Sequence, residues 1–260
     1  MFVAVKEIFL YRELLVILII KELKVRYKQT LLGMVWAMFT PLAMMFIFTF
    51  VFSRVTKIST GDIPYPLFAY CGLLPWTFFA GSLSAATSSL SGNAGLITKI
   101  YFPREVFPLS IIFSKLVDFF IASLILFGLM LFYKMPFHST ILLAPLVFVI
   151  QLILMIGLSF LLSVGNLFFR DVRYVFDVVI MLWMFATSVV YPINVASPAM
   201  QKILMLNPMT AILNVYRLLI LKGEIHQAGQ LLPAAAVSIV IFFIGIILFR
   251  KTEHLFAENI

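Results

Sequence analysis

The chain has 260 residues, 63% of them hydrophobic and only 12% charged, with a formal charge of +8 at pH 7. Soluble domains carry about 45–50% apolar and about 25% charged residues, so this balance excludes an ordinary soluble fold and indicates a membrane-embedded one. The basic excess does not signal nucleic acid, because Lys and Arg cluster at the ends of apolar segments, and the single Cys71 excludes an internal disulfide or a cysteine metal site.

In chain order, the run LLVILII (14–20) is too short to span a bilayer and is flanked by Arg12-Glu13 and Lys21-Glu22. No small-x-small cleavage site follows, which argues against a signal peptide. At helical spacing Lys6, Glu13, Lys21, Lys24 and Lys28 fall within about 80° of one another, which predicts an amphipathic helix lying along the membrane surface. Residues 1–32 are therefore read as an interfacial segment and 33–260 as a membrane domain of six spans. The spans are predicted at 33–53, 67–90, 107–133, 141–168, 175–193 and 231–249.

On the first span Trp36, Phe39, Phe46 and Phe50 fall within about 80° of each other, a stripe suited to lipid, helix packing or a substrate path. The end of the second span, GSLSAATSSLSG (81–92), holds mostly small residues, which let membrane helices approach closely. The loop 91–106 is charged, aromatic and proline-punctuated, with Lys99, Tyr101, Phe102, Pro103, Arg104 and Glu105 in seven positions and Pro108 just beyond. In the third span Lys115 and Asp118 stand at i, i+3 and are placed to pair. On the fifth span Asp177, Met181, Met184, Ser188 and Tyr191 share a face by the same spacing, with Arg170, Asp171 and Arg173 at its foot. The segment 194–223 is too polar for a full span.

With six spans, one side would hold both termini and the loops 91–106 and 169–174, with twelve Lys and Arg against six on the other side. The positive-inside rule then puts both termini and the loop 91–106 in the cytoplasm. No phosphate-binding Gly-x-x-x-x-Gly-Lys-Ser/Thr loop, His-Glu-x-x-His, Gly-x-Ser-x-Gly or Cys-x-x-Cys occurs, and His138, His226 and His254 lie far apart in loops or the tail.

Four segments, in order, resemble one family. KELKVRYKQTLLGMVWAMFTPL (21–42), GLITKIYFPREVFPLS (95–110), NLFFRDVRYVFDVVIMLWMFATSVVYP (166–192) and LNPMTAILNVYR (206–217) are similar to the transmembrane subunits of ABC exporters for bacterial polysaccharides, the O-antigen, capsule and teichoic acid permeases. The sequence departs from the family in MFATSVVYP, where a proline often sits nearer the Val-Val pair. The resemblance implies an all-α membrane protein: six transmembrane helices, an N-terminal interfacial helix, a cytoplasmic coupling helix and outer re-entrant helices in 194–223. It implies a homodimer in the bacterial inner membrane with two ATPase subunits that hold ATP and Mg, this chain binding no cofactor or metal itself. The usual cargo is a polysaccharide on an undecaprenyl-diphosphate type lipid.

By the same resemblance, the segment from Lys99 to Glu105 docks on the ATPase, with Tyr101 and Phe102 as aromatic anchors and Arg104 and Glu105 as charged contacts. The first and fifth spans would line the path, through Trp36, Phe39, Phe46, Phe50, Asp177, Met181, Met184, Ser188 and Tyr191. Arg170 and Arg173 would meet the lipid diphosphate or the ATPase. The rival readings are a drug or small-molecule exporter of the same superfamily and a polytopic membrane enzyme; the enzyme would require convergent acids or metal ligands, which the sequence does not display.

Overall fold

A chain in hydrocarbon must satisfy its backbone internally, and this one does so with helices. The computed structural model describes residues 10–98, 102–225, 228–256 and 258–259, with no strand among them. Helix α1 is Arg12–Tyr27; α2 is Val35–Phe48 and runs on in π-helical form through Thr49–Val55; α3 is Tyr65–Thr87; and α4 is the short Ala94–Ile97. Then come α5 (Val106–Phe132), α6 (Ala144–Phe168), α7 (Asp171–Phe185), α8 (Pro198–Leu206), α9 (Pro208–Arg217, extended π-helically by Leu218–Lys222) and α10 (Leu231–Thr252).

Among the described residues, five helical units are long and apolar enough to cross a membrane: Val35–Val55, Tyr65–Thr87, Val106–Phe132, Ser139–Phe168 and Leu231–Leu255. They correspond to the predicted spans one, two, three, four and six. Helices α8 and α9 pass the same test only as a pair bent by 103°. The bend is local chemistry: the Asn207 side chain accepts from the Met209 N–H at 3.1 Å, and Pro208 opens the next helix, where its missing N–H costs nothing. This bent pair is what 194–223 was expected to contain.

The fifth span departs from the prediction. Helix α7 has 15 residues, about 22 Å at 1.5 Å per residue, against a hydrocarbon core of about 30 Å. It stops at Phe185, and residues 186–192 follow without regular helix. Thr187, Val189 and Val190 are β-branched, and Pro192 disfavours a helical residue before it, so little holds the helix together locally. The predicted face of Asp177, Met181, Met184, Ser188 and Tyr191 therefore ends at Met184.

Helix α3 is the core, buried along nearly its whole length and packed by α2, α5, α6 and α9. A second seam joins α6 to α10. A Cβ on Gly157 would stand 2.6 Å from the Phe242 Cα, and one on Gly245 would strike the Gly157 carbonyl, so the two backbones are in contact. Helix α1 packs lengthwise on α5. Lys21 donates to Asn93 Oδ1 at 2.6 Å, and further along Arg26 and Tyr27 reach Asp118. Its open side mixes Ile17, Ile20 and Val25 with Lys24, the blend suited to a lipid boundary. Lys6, part of the predicted amphipathic face, lies outside the described residues, and Lys28 already has extended backbone beyond the helix end.

Candidate coupling and translocation surfaces

Of the residues assigned to the 91–106 loop, Lys99 and Tyr101 lie outside the described residues. The rest turn toward the chain's own core. Phe102 is buried, edge-on to Phe107 at 5.4 Å, in a cluster with Leu18, Leu90, Phe160, Phe249 and Phe256. Glu105 is only 1% exposed, and its Oε1 accepts from Arg250 Nε at 3.0 Å. Arg104 donates to the Glu253 carbonyl and lies over the Phe256 ring at 5.7 Å. Pro103 is half-buried, and its carbonyl accepts the Val106 N–H at 3.4 Å as α5 begins. Phe102, Arg104 and Glu105, expected at a partner contact, are engaged within the chain: Glu105 with Arg250 near the end of α10, Arg104 with Glu253 and Phe256 just beyond it, and Phe102 with Phe107. Their partners Arg250, Glu253 and Phe256 are about 150 residues away, which is why local sequence did not show them.

The first-span stripe is a different surface. Trp36 is 45% exposed, Phe39 52%, and Phe46 and Phe50 both 66%, with Trp36 and Phe39 edge to face at 5.4 Å. Pro41 and Met45 face the core from the other side of α2. A row of partly exposed aromatic rings thus runs the length of the span, with Trp36 also bordering a cavity formed with α1, α3 and α5. On α7, Asp177 and Met181 are exposed and Met184 is half-buried; Asp177 accepts from Ser84 Oγ at 2.7 Å, tying α7 to α3. Ser188 is buried, and Tyr191 folds back to donate to the Phe185 carbonyl at 2.9 Å. Arg170 and Arg173 stand exposed at the start of α7.

The non-helical piece after α7 is held by a residue the sequence reading passed over. Arg217, 5% exposed, donates to the carbonyls of Ser188 at 2.6 Å, Val189, and Phe68 at 3.4 Å, with its guanidinium 3.9 Å from the Phe68 ring centroid. Tyr65 donates to the Val190 carbonyl at 2.6 Å, and Asn207 to Ala186 O at 3.3 Å and Thr187 Oγ1 at 2.7 Å. Side chains from α3, α9 and the α8–α9 bend thereby satisfy consecutive carbonyls that a continued helix would have bonded internally. Gly72 makes room, since a Cβ there would collide with the guanidinium and the Val189 carbonyl. The available signal was the position of Arg217 itself, one basic residue in an otherwise apolar run.

The Lys115 and Asp118 pairing is present but shared. Asp118 Oδ2 is 2.5 Å from Arg26 and 3.7 Å from Lys115, and Oδ1 accepts from Tyr27 at 2.5 Å. Burial, reinforced by the neighbouring carboxylate, pushes the Tyr27 hydroxyl up to about 12, so it remains a donor at any physiological pH. No group of three or more His, Cys, Asp or Glu capable of holding a metal occurs among the described residues.

The described residues thus form a bundle of membrane-length helices with one sharply bent pair. The family model for ABC-2 type transporters matches residues 13–221. The chain belongs to the ABC-2 type transporter family. It is similar to the O-antigen export system permease protein RfbA of Myxococcus xanthus, 32% identical over 259 residues covering 98% of each chain. It also resembles the protein of that name from Klebsiella pneumoniae, 31% identical over 95% of this chain and 94% of the other. The polysialic acid transport protein KpsM of Escherichia coli is 24% identical over 91% and 92%. As an ABC-2 permease the chain is a multi-pass membrane protein and not a catalyst; in such systems a partner ATPase handles ATP.

Proposed function

We propose that this ABC-2 permease exports a lipid-linked polysaccharide of the O-antigen type across the bacterial inner membrane, as a homodimer with two ATPase subunits. The observation that carries the reading is the exposed ladder of Trp36, Phe39, Phe46 and Phe50 along α2. Aromatic faces stack on the apolar faces of pyranoses, and a row of them lets a sugar chain advance without one strong binding position. Near-full-length similarity to permeases named for O-antigen export supports the cargo class. Asp177 and Met181 on α7 add a polar and a flexible element to the same path, and Arg170 and Arg173 are offered to the carrier diphosphate or the ATPase. Both termini and the loop 91–106 face the cytoplasm under the positive-inside rule.

The loop 91–106 is the docking element for the ATPase. Since Phe102, Arg104 and Glu105 are fastened to α10, force applied to this loop reaches α10 directly and α6 through the glycine seam. Lys99 and Tyr101, which lie outside the described residues, are assigned to the same ATPase contact. The reading is tested by co-expressing the chain with its ATPase in a strain lacking its own O-antigen permease. Surface glycan should return only when both are present. Export of small drugs without restored glycan would replace the cargo assignment.

A further inference from the structure

Between α1, α2, α3 and α5 lies a cavity of about 250 Å³ with one polar end and apolar walls. The polar end holds Arg26, Tyr27, Lys115 and Asp118, with the Thr40 and Thr77 hydroxyls nearby; Trp36, Phe78 and Phe119 are among its walls. Two cations and one carboxylate leave a single net positive charge. The hydrogen bonds assign that surplus to Lys115. Asp118 already accepts Tyr27 on Oδ1 and Arg26 on Oδ2, while Arg26 also donates to Ser114 at 3.1 Å. Lys115 Nζ stands 3.7 Å from Oδ2, too far for a hydrogen bond. On its other side is Gly81, where even an added Cβ would stay 3.8 Å from Nζ. Lys115 is thus a partly exposed ammonium that lines the cavity, ion-paired with Asp118 but beyond hydrogen-bond distance of it, and is open to an anion.

The cavity's depth identifies which anion. Helix α5 has 27 residues, about 40 Å, which exceeds the hydrocarbon core by about 10 Å. Lys115 stands nine residues in, about 14 Å along, and helical side chains lean back toward the N-terminus, so its ammonium lies near the headgroup boundary. Trp36, in the first turn of α2, has the position of an interfacial tryptophan at the same level. We infer that the α1–α2–α3–α5 cavity binds the phosphate group of a membrane lipid, with Lys115 toward the phosphate and the acyl or prenyl chain along Trp36 and Phe119. Basic pockets between membrane helices bind anionic headgroups in this way. The inference rests on the membrane-span reading and not on the cargo, and the phosphate can belong to a bilayer phospholipid or to the diphosphate of a polyprenyl carrier.

The test uses the full chain, purified in neutral detergent, and lipid retention read by native mass spectrometry. Phosphatidylglycerol is compared with diacylglycerol, and undecaprenyl diphosphate with undecaprenol. Each phosphate-bearing lipid should be retained over its phosphate-free match, and whichever of the two binds more tightly names the source. Lys115→Gln leaves the Arg26 pair intact and should weaken retention about fivefold, the effect of one basic residue at a lipid surface. Lys202→Gln, on an exposed helix elsewhere, should change nothing. If Lys115→Gln does not fold, Thr40→Cys in a Cys71→Ser background gives a second reading: phosphatidylglycerol should slow thiol labelling at position 40 and diacylglycerol should not. Equal retention of the matched lipids, an unchanged folded Lys115→Gln protein, or equal labelling with both lipids would overturn the inference.

Discussion

Replacing Gly157 with alanine tests the packing of α6 against α10, whose end holds Glu105 of the loop 91–106. An alanine Cβ there would lie 2.6–2.8 Å from the Phe242 and Ile241 backbone, where about 3.4–4 Å is ordinary contact. Helices α6 and α10 must separate by roughly 1 Å, and no side-chain rotation relieves the clash because the obstruction is main chain. Overpacking of this kind costs about 1–3 kcal/mol. The change also gains up to about 1 kcal/mol of helix propensity, so the net loss should be about 0–2 kcal/mol, still about 1–3 kcal/mol worse than the same gain without a clash. Gly128→Ala on α5 is the matched control, since nothing lies within 4 Å of its added Cβ. It should be neutral or slightly stabilising. Thermal unfolding of both variants in one detergent separates the cases. A Gly157→Ala protein as stable as Gly128→Ala would mean the seam yields freely and does not form a rigid unit.

Glu105→Gln removes the carboxylate 3.0 Å from Arg250 Nε; breaking a fully buried pair costs about 3–5 kcal/mol, and with Arg250 partly exposed the loss should be smaller. Substrate-stimulated ATP turnover should fall with it, and the Glu105→Gln/Arg250→Gln double variant should recover part of the thermal stability but not the coupling; additive losses would refute the link. Phe46→Ala and Phe50→Ala remove rings that are mostly exposed, so the melting temperature of the assembled complex should hardly move while export drops. Loss of export only in proportion to loss of complex would make the stripe a packing face. Tyr27 has a hydroxyl pKa raised from 10.0 to about 12 in the fold, so its contribution is complete below pH 10 and disappears as pH rises through about 12. Tyr27→Phe should flatten that alkaline limb in a stability-against-pH profile, and an unchanged limb would remove the assignment.

The spans were legible because an apolar run of some twenty residues has one stable form in hydrocarbon, and the exposed stripe was legible because helical spacing alone puts Trp36, Phe39, Phe46 and Phe50 on one face. The end of α7 was not. Val189 and Val190 suit a buried helix as well as an extended segment, and the choice is made by Arg217, nearly 30 residues later, and by Tyr65, well over a hundred residues earlier. The direction of Glu105 was hidden for the same reason: a carboxylate beside a proline looks like a surface contact until Arg250 is brought to it. Charge partners within one helix, Lys115 and Asp118, were readable; partners brought together by helix packing were not.

The position of Arg217 in the chain bears on how the protein is made. Its hydrogen-bond acceptors, Phe68, Ser188 and Val189, all precede it in sequence. A guanidinium entering the bilayer with nothing to bond costs about 2.5–3.5 kcal/mol even on insertion scales. When synthesis runs from the N-terminus, those carbonyls have already left the ribosome by the time Arg217 emerges. The bent pair α8–α9 thus meets its acceptors on arrival, and the last long helix, α10, inserts beside an end that is already closed. Order of synthesis and order of satisfaction coincide, so Arg217 enters last among the groups it needs.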